Sequence, residues 1–353
     1  MSGVRVMIMA GGTGGHIFPG LAVAKVLRAR GADVSWLGTP AGLENRLVPP
    51  AGIDFDTIPI QGLRGRGLAG WLAAPLRVLR AAWQARSILR RRRPQCVLSM
   101  GGYVAGPGAL AARLMGIPLV IHEQNAIAGL TNRLLRPLAR RIMTGFPETL
   151  PRGEHVGNPV REDIAAIDAP EHRMADREGP LRVLVVGGSQ GAAAFSDVVP
   201  AGLAGIEAST RPQIVHQAGR QLDETVRAYQ RAGIEGDVCE FIDDMAGAWA
   251  RTDLAICRAG ALTVAELAAA GVASVLVPFP HAVDDHQTAN ARFLSDAGAA
   301  WLVDQREFSA EWLATLLKRL TREELTAMAG KARKLARNDA AERVADACLE
   351  VVR

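Results

Sequence analysis

Short apolar runs alternate with longer amphipathic stretches along the whole chain. In the first half, runs rich in β-branched and aliphatic residues cover residues 4–10, 33–37, 55–58, 96–100, 119–123 and 141–144. In the second half they cover residues 182–186, 213–217, 238–241, 254–257 and 274–277. Runs of this kind, separated by stretches of helical periodicity, are typical of buried parallel strands joined by helices. The pattern predicts an α/β protein with parallel sheets.

Two of the predicted strands end in glycine-rich turns. The first runs into GGTGGH at residues 11–16, and the strand at 182–186 runs into GGSQG at residues 187–191. In both turns a hydroxyl residue follows two glycines and a helix can begin. Free backbone N–H groups and a helix dipole would then favour an anion at that point. The repeat predicts two similar domains, each beginning with a strand and a turn suited to bind phosphate.

The domain boundary falls in a polar segment that contains prolines, residues 159–180. We therefore expect a first domain over residues 1–160 and a second over residues 161–335. Near the end of the chain, Val344, Ala345, Cys348 and Val352 are spaced like one face of a helix. We expect this C-terminal helix, at about residues 336–353, to pack back on the first domain.

Composition and charge narrow the class of protein. The four cysteines are scattered without metal-ligand spacing, which favours a reduced, cytoplasmic protein. We expect neither a signal peptide nor a transmembrane helix, since no stretch stays apolar for about 20 residues. Residues 1–160 carry 20 Lys and Arg against 7 Asp and Glu, a balance of +13, and the remainder carries −8. This asymmetry predicts an anionic partner for the first domain.

Polar residues gather at the strand ends of the first domain. His16 lies where a helix begins, so the positive end of the helix dipole favours the neutral imidazole. The turn GGYVAGPG at 101–108 follows one further strand, and the run HEQN at 122–125 ends the next. Because parallel strands end at one edge of a sheet, we expect these segments and His16 to converge there. The alternatives are a helix-capping or packing role for His16 and an ordinary hydrogen-bonded turn for HEQN.

Six motifs in order and spacing resemble the MurG family of peptidoglycan glycosyltransferases. They are residues 11–16, 101–108, 122–125, GNPVR at 157–161, residues 187–191 and CRAGALTVAE at 257–266. The resemblance spans almost the whole chain. It implies a GT-B fold, in which two Rossmann-like domains with parallel sheets face each other across a cleft. It also implies transfer of N-acetylglucosamine (GlcNAc) from UDP-GlcNAc to the 4-hydroxyl of the N-acetylmuramic acid (MurNAc) of lipid I. The product would be lipid II with a β-1,4 linkage, formed with inversion.

The resemblance assigns residues to roles. The lipid acceptor is implied to lie on the first domain, with His16 and Glu123 as catalytic candidates, His122 as a rival base, and Thr13, Gly14, Gly15 and Asn125 as positioning residues. The donor is implied to lie mainly on the second domain. Its diphosphate would meet Ser189 and Arg161, its ribose Glu266, its uracil Ile242 and its sugar Gln287. The helix start Ala261, Leu262, Thr263, Val264 and Ala265 would also line the donor site.

We expect neither a metal nor another cofactor. The run Asp54-Phe55-Asp56 resembles the Asp-x-Asp motif of metal-dependent glycosyltransferases, but it lies in an alternating segment of the basic domain. The alternation predicts that both aspartates lie on the solvent face of a short strand. Charge-assisted hydrogen bonds and a helix N-terminus could stabilise departing UDP in place of Mg²⁺.

Apolar and basic residues interleave in a segment that could meet a membrane. The apolar positions Trp71, Leu72, Pro75, Leu76, Leu79 and Trp83 have helical spacing, with Arg77, Arg80, Arg86 and residues 90–93 between and after them. This composition is typical of an interfacial helix on an anionic membrane, although core packing of the apolar stripe is the alternative. No nucleic-acid-binding module accompanies the charge. The resemblance implies a peripheral location on the cytoplasmic face of the cell inner membrane, with cell-wall and division complexes as further partners.

Other functions remain open on the residues alone. A non-hydrolysing UDP-GlcNAc 2-epimerase or another GT-B nucleotide-sugar enzyme would share the architecture and the donor. A nucleotide-binding regulatory protein would keep the glycine turns but would not need polar residues at the first domain's strand ends. An NAD-dependent dehydrogenase would need G-x-G-x-x-G spacing, which residues 11–16 do not provide.

Overall fold

The protein is described by a computed structural model that covers residues 3–60, 74–188 and 190–352. The chain divides into two compact units, Met1–Val160 with Arg337–Arg353 and Arg161–Ala336, which we call unit 1 and unit 2. Within the residues covered, every helix is too short or too polar to span a lipid bilayer.

Unit 1 contains the strands β1 Arg5–Ala10, β2 Asp33–Gly38, β3 Asp54–Thr57, β4 Cys96–Gly101, β5 Leu119–Glu123, β6 Arg141–Thr144 and β7 Glu154–His155. They form one parallel sheet in the order β3-β2-β1-β4-β5-β6-β7. The helices between them are α1 Gly14–Ala29, α2 Glu44–Leu47, α3 Ala74–Arg92, α4 Ala105–Leu114 and α5 Leu130–Leu135.

Unit 2 contains the helices α6 Glu162–Ala165, α7 Pro170–Arg173, α8 Ala193–Ala204, α9 Leu222–Ala232, α10 Met245–Arg251, α11 Ala261–Ala270, α12 His286–Ser295, α13 Ala310–Arg319 and α14 Arg322–Lys334. Its strands are β8 Arg182–Val186, β9 Gln213–Gln217, β10 Asp237–Cys239, β11 Leu254–Cys257, β12 Ala273–Leu276 and β13 Ala300–Leu302. They form a parallel sheet in the order β10-β9-β8-β11-β12-β13. The α/β class with two parallel sheets is therefore confirmed.

Both faces of the unit 1 sheet are buried, which explains the continuous apolar runs. Along β1, Ile8 belongs to the core on one face, and Met7 and Met9 belong to the core on the other. The last helix, α15 Ala340–Glu350, packs against α1 and adds Val344 and Cys348 to the first of these cores. The end of the chain is therefore part of unit 1.

The expectation that both aspartates of β3 face solvent is wrong for Asp56. The side chain of Asp54 is 65% exposed, but that of Asp56 is only 9% exposed. Arg92 Nε donates to Asp56 Oδ2 at 2.7 Å, and Arg91 also pairs with Asp56. Arg92 pairs in addition with Asp54. The two arginines that end α3 therefore bind carboxylates of the neighbouring strand and anchor the helix to the sheet.

Candidate active site

The first glycine turn places His16 at the sheet edge of unit 1. Gly12 has a φ of 99°, a left-handed conformation that favours glycine, and Thr13 is the N-cap of α1. His16 lies in the first turn of this helix, where its backbone N–H donates to Thr13 O at 3.1 Å. The imidazole is partly exposed. Gly14 and Gly15 form the turn of helix that leads to it.

A hydrogen-bonded chain connects three side chains behind this turn. His16 Nδ1 lies 2.8 Å from Gln124 Oε1, and Gln124 Nε2 lies 2.9 Å from His122 Nδ1. Gln124 Nε2 also donates to the backbone oxygen of His122 at 3.1 Å, which fixes the orientation of the amide. At the far end, His122 Nε2 lies 3.0 Å from Gly157 O. The chain links the ends of β1 and β5.

The direction of donation along these hydrogen bonds sets the tautomer of the neutral His16 ring. Burial lowers the pKa of His122 to about 4, so its ring is neutral at neutral pH. Since Gly157 O can only accept, His122 carries its proton on Nε2 and accepts from Gln124 at Nδ1. Gln124 Oε1 in turn accepts from His16 Nδ1. The neutral His16 ring therefore keeps an unprotonated Nε2, as a general base requires.

Glycines of the turn at residues 101–108, the third glycine-rich turn of the chain, make room for this ring. Gly101 and Gly102 have φ values of 93° and 84°. A Cβ on Gly101 would lie 3.3 Å from His16 Cε1, and a Cβ on Gly102 would lie 2.4 Å from Gly11 O. The third turn therefore packs directly against the first, in agreement with the expected convergence at one sheet edge.

Glu123 is buried and both of its carboxylate oxygens are occupied. Oε1 accepts from the Asn125 backbone N–H at 3.1 Å. Oε2 accepts from Gly129 N at 3.1 Å and from Asn132 Nδ2 at 2.9 Å. The carboxylate thus ties the loop after β5 to the start of α5. Of the three candidate bases, His122 and Glu123 are buried, and His16 alone is partly exposed.

The second glycine turn follows β8 in unit 2. Gly187 N donates to Gln217 O and Gly191 N donates to Gly188 O, each at 3.0 Å. Gly188 and Gly191 have φ values of 75° and 76°. Ser189, which the sequence assigned to the donor diphosphate, lies outside the described residues.

A helix N-terminus lies in the same unit. Gly260 is the N-cap of α11, which begins at Ala261 and continues through Leu262, Thr263, Val264 and Ala265. The first N–H groups of a helix have no partner inside it and attract anions. Asn290 Nδ2 donates to Ala259 O at 3.1 Å and so fixes the entry to the helix.

Glu266 lies one turn into α11 between a cation and an indole. Arg161 Nη2 lies 3.9 Å from Glu266 Oε1, and Trp249 Nε1 donates to Glu266 Oε2 at 3.2 Å. Burial raises the pKa of Glu266, and Arg161 and Trp249 oppose that rise. Arg161 and Glu266 were both expected from sequence. Trp249, which is 1% exposed on α10, was missed because it carries no motif.

The remaining donor candidates are Gln287, in the first turn of α12, and Ile242, in a connecting segment of unit 2. Gln287 Oε1 accepts from Phe279 N at 2.9 Å and ties α12 to the loop after β12. In that loop Asp284 and Asp285 have φ values of 54° and 52°, which is strained for residues other than glycine. Arg258 donates to Val277 O, at the start of the same loop, at 3.0 Å. Ile242 lies between β10 and α10.

Comparison with known proteins places the chain in a family. The family model for the glycosyltransferase family 28 N-terminal domain matches residues 6–144, and that for the glycosyltransferase family 28 C-terminal domain matches residues 182–344. A Bordetella petrii protein named UDP-N-acetylglucosamine--N-acetylmuramyl-(pentapeptide) pyrophosphoryl-undecaprenol N-acetylglucosamine transferase is 58% identical over 354 residues, covering 100% of this chain and 99% of that protein. A protein of the same name from Alkalilimnicola ehrlichii is 59% identical, with 99% of both chains covered.

A solved structure agrees with the sequence comparison. The crystal structure of Acinetobacter baumannii MurG superimposes with a TM-score of 0.87 at 45% identity, over 98% of this chain and 99% of that one. The fold of this chain is accordingly GT-B, as the motifs implied. With matches over both units, the chain belongs to glycosyltransferase family 28 and, within it, to the MurG family.

Proposed function

We propose that this protein transfers GlcNAc from UDP-GlcNAc to the 4-hydroxyl of the MurNAc of lipid I, giving lipid II. The names of relatives at 58–59% identity support the substrates. The structural observation that carries the proposal is the row of hydrogen bonds from His16 through Gln124 to His122, which leaves His16 Nε2 able to accept a proton. A 2-epimerase is not favoured, because the full-length relatives carry the transferase name.

The reaction is a single in-line displacement. His16 Nε2 takes the proton of the acceptor 4-hydroxyl as its oxygen bonds to the anomeric carbon of GlcNAc. The bond from that carbon to the UDP oxygen breaks, and its electron pair leaves with UDP. The α-linked donor becomes a β-1,4 product, so one inversion suffices. General-base assistance of this kind contributes about 10²- to 10⁴-fold in rate.

Unit 2 binds the donor in this proposal. The carboxylate of Glu266 accepts from the ribose hydroxyls, and the N-terminus of α11 and Arg161 stabilise the diphosphate. Charge-assisted hydrogen bonds of about 1.5 to 3 kcal/mol each, with a helix-terminus contribution of up to about 2, could stabilise departing UDP without a metal. Ser189, Ile242 and Gln287 remain predicted donor contacts.

Unit 1 binds the acceptor. Thr13, Gly14 and Gly15 lie at the start of α1 beside His16, and Asn125 follows β5 at the same sheet edge. Glu123 acts here as a positioning residue, because its oxygens already hold the loop that carries Asn125. Gln124 orients His16 and keeps its proton on Nδ1.

The acceptor lies in a membrane, and α3 provides a surface that suits this. Leu76, Leu79 and Trp83 are 73%, 61% and 75% exposed, and Arg77 and Arg80 beside them are also exposed. Such a face favours reversible binding to an anionic leaflet, with about 1 kcal/mol from each arginine. Trp71 and Leu72 lie outside the described residues. A peripheral location at the cytoplasmic face of the inner membrane follows from this proposal, and contacts with cell-wall or division proteins remain a prediction.

The decisive assay incubates the protein with UDP-GlcNAc and a lipid I analogue and measures the disaccharide product. We expect H16A to lower kcat by at least 100-fold. His172→Ala, at an exposed position of α7, is the matched control and should stay within twofold. A loss of less than tenfold in folded H16A would refute the base assignment. Interconversion of UDP-GlcNAc with its 2-epimer in the absence of acceptor would favour the epimerase instead.

Membrane binding is tested separately by liposome flotation. We expect binding to vesicles that contain anionic phospholipid and weaker binding by the variant W83S. The variant Leu114→Ser removes an exposed leucine from the neighbouring helix α4, and its binding to vesicles is measured alongside that of W83S. Flotation that is the same on neutral and anionic vesicles would contradict the proposed membrane contact.

A further inference from the structure

The last four carbonyl groups of α11 all have hydrogen-bond donors, although a helix supplies none of its own at this end. The backbone turn that follows the helix donates to the first two. Arg333 donates to the third, Ala269 O, and Arg173 Nη1 donates to the fourth, Ala270 O, at 2.8 Å. Cations are favoured at a helix C-terminus, where the dipole is negative. Two arginine side chains therefore close the end of the helix that carries Glu266.

Arg333 also reaches a second helix. It lies in the last turn of α14, and its Nη2 donates to Ala165 O at 3.3 Å and to Ile167 O at 2.9 Å. Ala165 is the last residue of α6. In the part of the chain that the structure describes, all three partners of this guanidinium are thus carbonyl oxygens, two at the end of α6 and one at the end of α11. A planar group with five N–H donors suits such a junction.

Packing holds the same arginine against the end of α11. Gly271, the C-cap of this helix, has a φ of 62°, the left-handed conformation that ends many helices. A Cβ at this position would lie 3.2 Å from Arg333 Cβ and 3.1 Å from Pro170 Cδ. The stem of the arginine therefore lies close to the glycine backbone, so its guanidinium is fixed by packing as well as by hydrogen bonds.

The two helices that Arg333 joins carry the two charged groups assigned to the donor. Arg161 is the N-cap of α6, and its backbone oxygen accepts from Ala165 N at 3.1 Å, so the junction lies one turn away from it. Glu266 lies three residues before Ala269 on α11. Arg161 Nη2 and Glu266 Oε1 are 3.9 Å apart. A direct charge-assisted hydrogen bond needs about 2.8 Å, so a movement of about 1 Å between α6 and α11 would close the pair.

We propose that Arg333 is a positioning residue for the donor: by joining the ends of α6 and α11, it holds Arg161 and Glu266 at the separation that a nucleoside diphosphate spans between its diphosphate and its ribose. A shift in either direction weakens donor binding. Closure pairs the two groups with each other, and opening moves one of them away from its partner on the donor. The proposal rests on the proposed function in one respect, the assignment of these two groups to the donor.

Steady-state kinetics of Arg333→Met tests the proposal. Methionine keeps an unbranched stem and removes the guanidinium. We expect R333M to raise the KM for UDP-GlcNAc by about tenfold, roughly the loss of one hydrogen bond to a charged group. The KM for the lipid I analogue should stay within about twofold of the wild type. A purely structural role would lower kcat through a smaller folded fraction and would leave both KM values unchanged.

Two further variants separate geometry from charge and from general stability. Arg333→Lys keeps the positive charge and loses the planar fork, so we expect a raised KM for UDP-GlcNAc here as well. The control is Arg211→Met. Arg211 closes the end of α8 by the same kind of contact, with Nε donating to Leu203 O at 3.1 Å and Nη2 donating to Ile206 O at 2.9 Å. R211M should keep the KM for UDP-GlcNAc within about twofold of the wild type.

A readout without donor keeps this proposal distinguishable from the proposed function. In ¹⁵N-labelled protein, the indole N–H resonance of Trp249, identified by its absence in Trp249→Phe, reports on Glu266 because the indole donates to that carboxylate. We expect this resonance to move in R333M and R333K and to stay in place in R211M. Failure of the wild type to bind UDP would refute donor binding by unit 2 and would leave this result standing.

The proposal is overturned by any of three results. The first is an unchanged KM for UDP-GlcNAc in folded R333M, or in R333K if R333M does not fold. The second is a wild-type KM in R333K beside a raised KM in R333M, which would show that charge alone suffices. The third is an unmoved Trp249 resonance in the folded variants.

Discussion

Replacing Trp249 by Phe tests whether the buried indole positions the carboxylate that we assign to the donor ribose. Phenylalanine keeps an aromatic ring in the core and removes the N–H that Trp249 donates to Glu266 Oε2 at 3.2 Å. A hydrogen bond to a charged group contributes about 1.5 to 3 kcal/mol. Because 3.2 Å is at the long end of the N–H···O range, we take about 1.5 kcal/mol. This corresponds to about a tenfold loss in donor affinity.

The assay is steady-state kinetics with varied UDP-GlcNAc at saturating acceptor. We expect W249F to raise the KM for UDP-GlcNAc by about tenfold and to change kcat by less than about threefold, because the proposal has Glu266 contact the ribose in both ground state and transition state. A purely structural role for Trp249 would lower the melting temperature without this separation of KM from kcat.

The pH profile gives a second readout. Burial raises the pKa of Glu266, and the Trp249 hydrogen bond lowers it. Removing that bond therefore moves the pKa of Glu266 further upward. If the ionised carboxylate binds the ribose as proposed, the acid limb of kcat/KM should lie at higher pH in W249F than in the wild type.

A matched control is available in unit 1. Trp36 is also fully buried, and its indole Nε1 donates to the neutral acceptor Ala10 O at 3.0 Å. W36F should lose stability and leave the KM for UDP-GlcNAc unchanged. The reasoning on Trp249 is refuted if folded W249F has a KM within twofold of the wild type and an unmoved acid limb.

Three further outcomes are expected. Asp56→Ala should lower the free energy of unfolding of unit 1 by about 2 kcal/mol, because it removes the buried carboxylate that Arg91 and Arg92 bind. Replacing the exposed Asp54 by Ala should lower it by less than about 1 kcal/mol. Equal losses for the two variants in chemical denaturation would contradict this. Burial lowers the pKa of His216 to about 4. Between pH 6.5 and 4 the unfolded state therefore binds more protons than the folded state, and the free energy of unfolding falls by up to about 3 kcal/mol as the pH is lowered. His216→Gln should flatten that dependence in urea melts at pH 7 and 4.5, and an unchanged slope would count against it. Transferase activity should persist in EDTA, and its abolition would indicate a metal.

The sequence by itself determined the architecture and most of its elements. Strands such as β5, β8, β9 and β11 have the predicted bounds, because each has an apolar centre that is buried in the sheet and ends at a polar residue or a glycine turn. The glycine turns and the six motifs contain most of the residues predicted for the two candidate sites, but not Trp249. The edge strands β7 and β13 were not predicted, since two or three residues carry too little periodicity to recognise.

Only the tertiary structure decided how those residues are connected. Gln124 lies 108 positions from His16, and Glu44 lies 32 positions from Gly12, so no local spacing links either pair. Sheet order brings the segments after β2 and β5 within hydrogen-bonding distance of the segment after β1. Burial then makes each unsatisfied polar group costly, so that a single arrangement of donors and acceptors is selected. The motifs therefore identified the chemistry, and long-range hydrogen bonds arranged the donors and acceptors around His16.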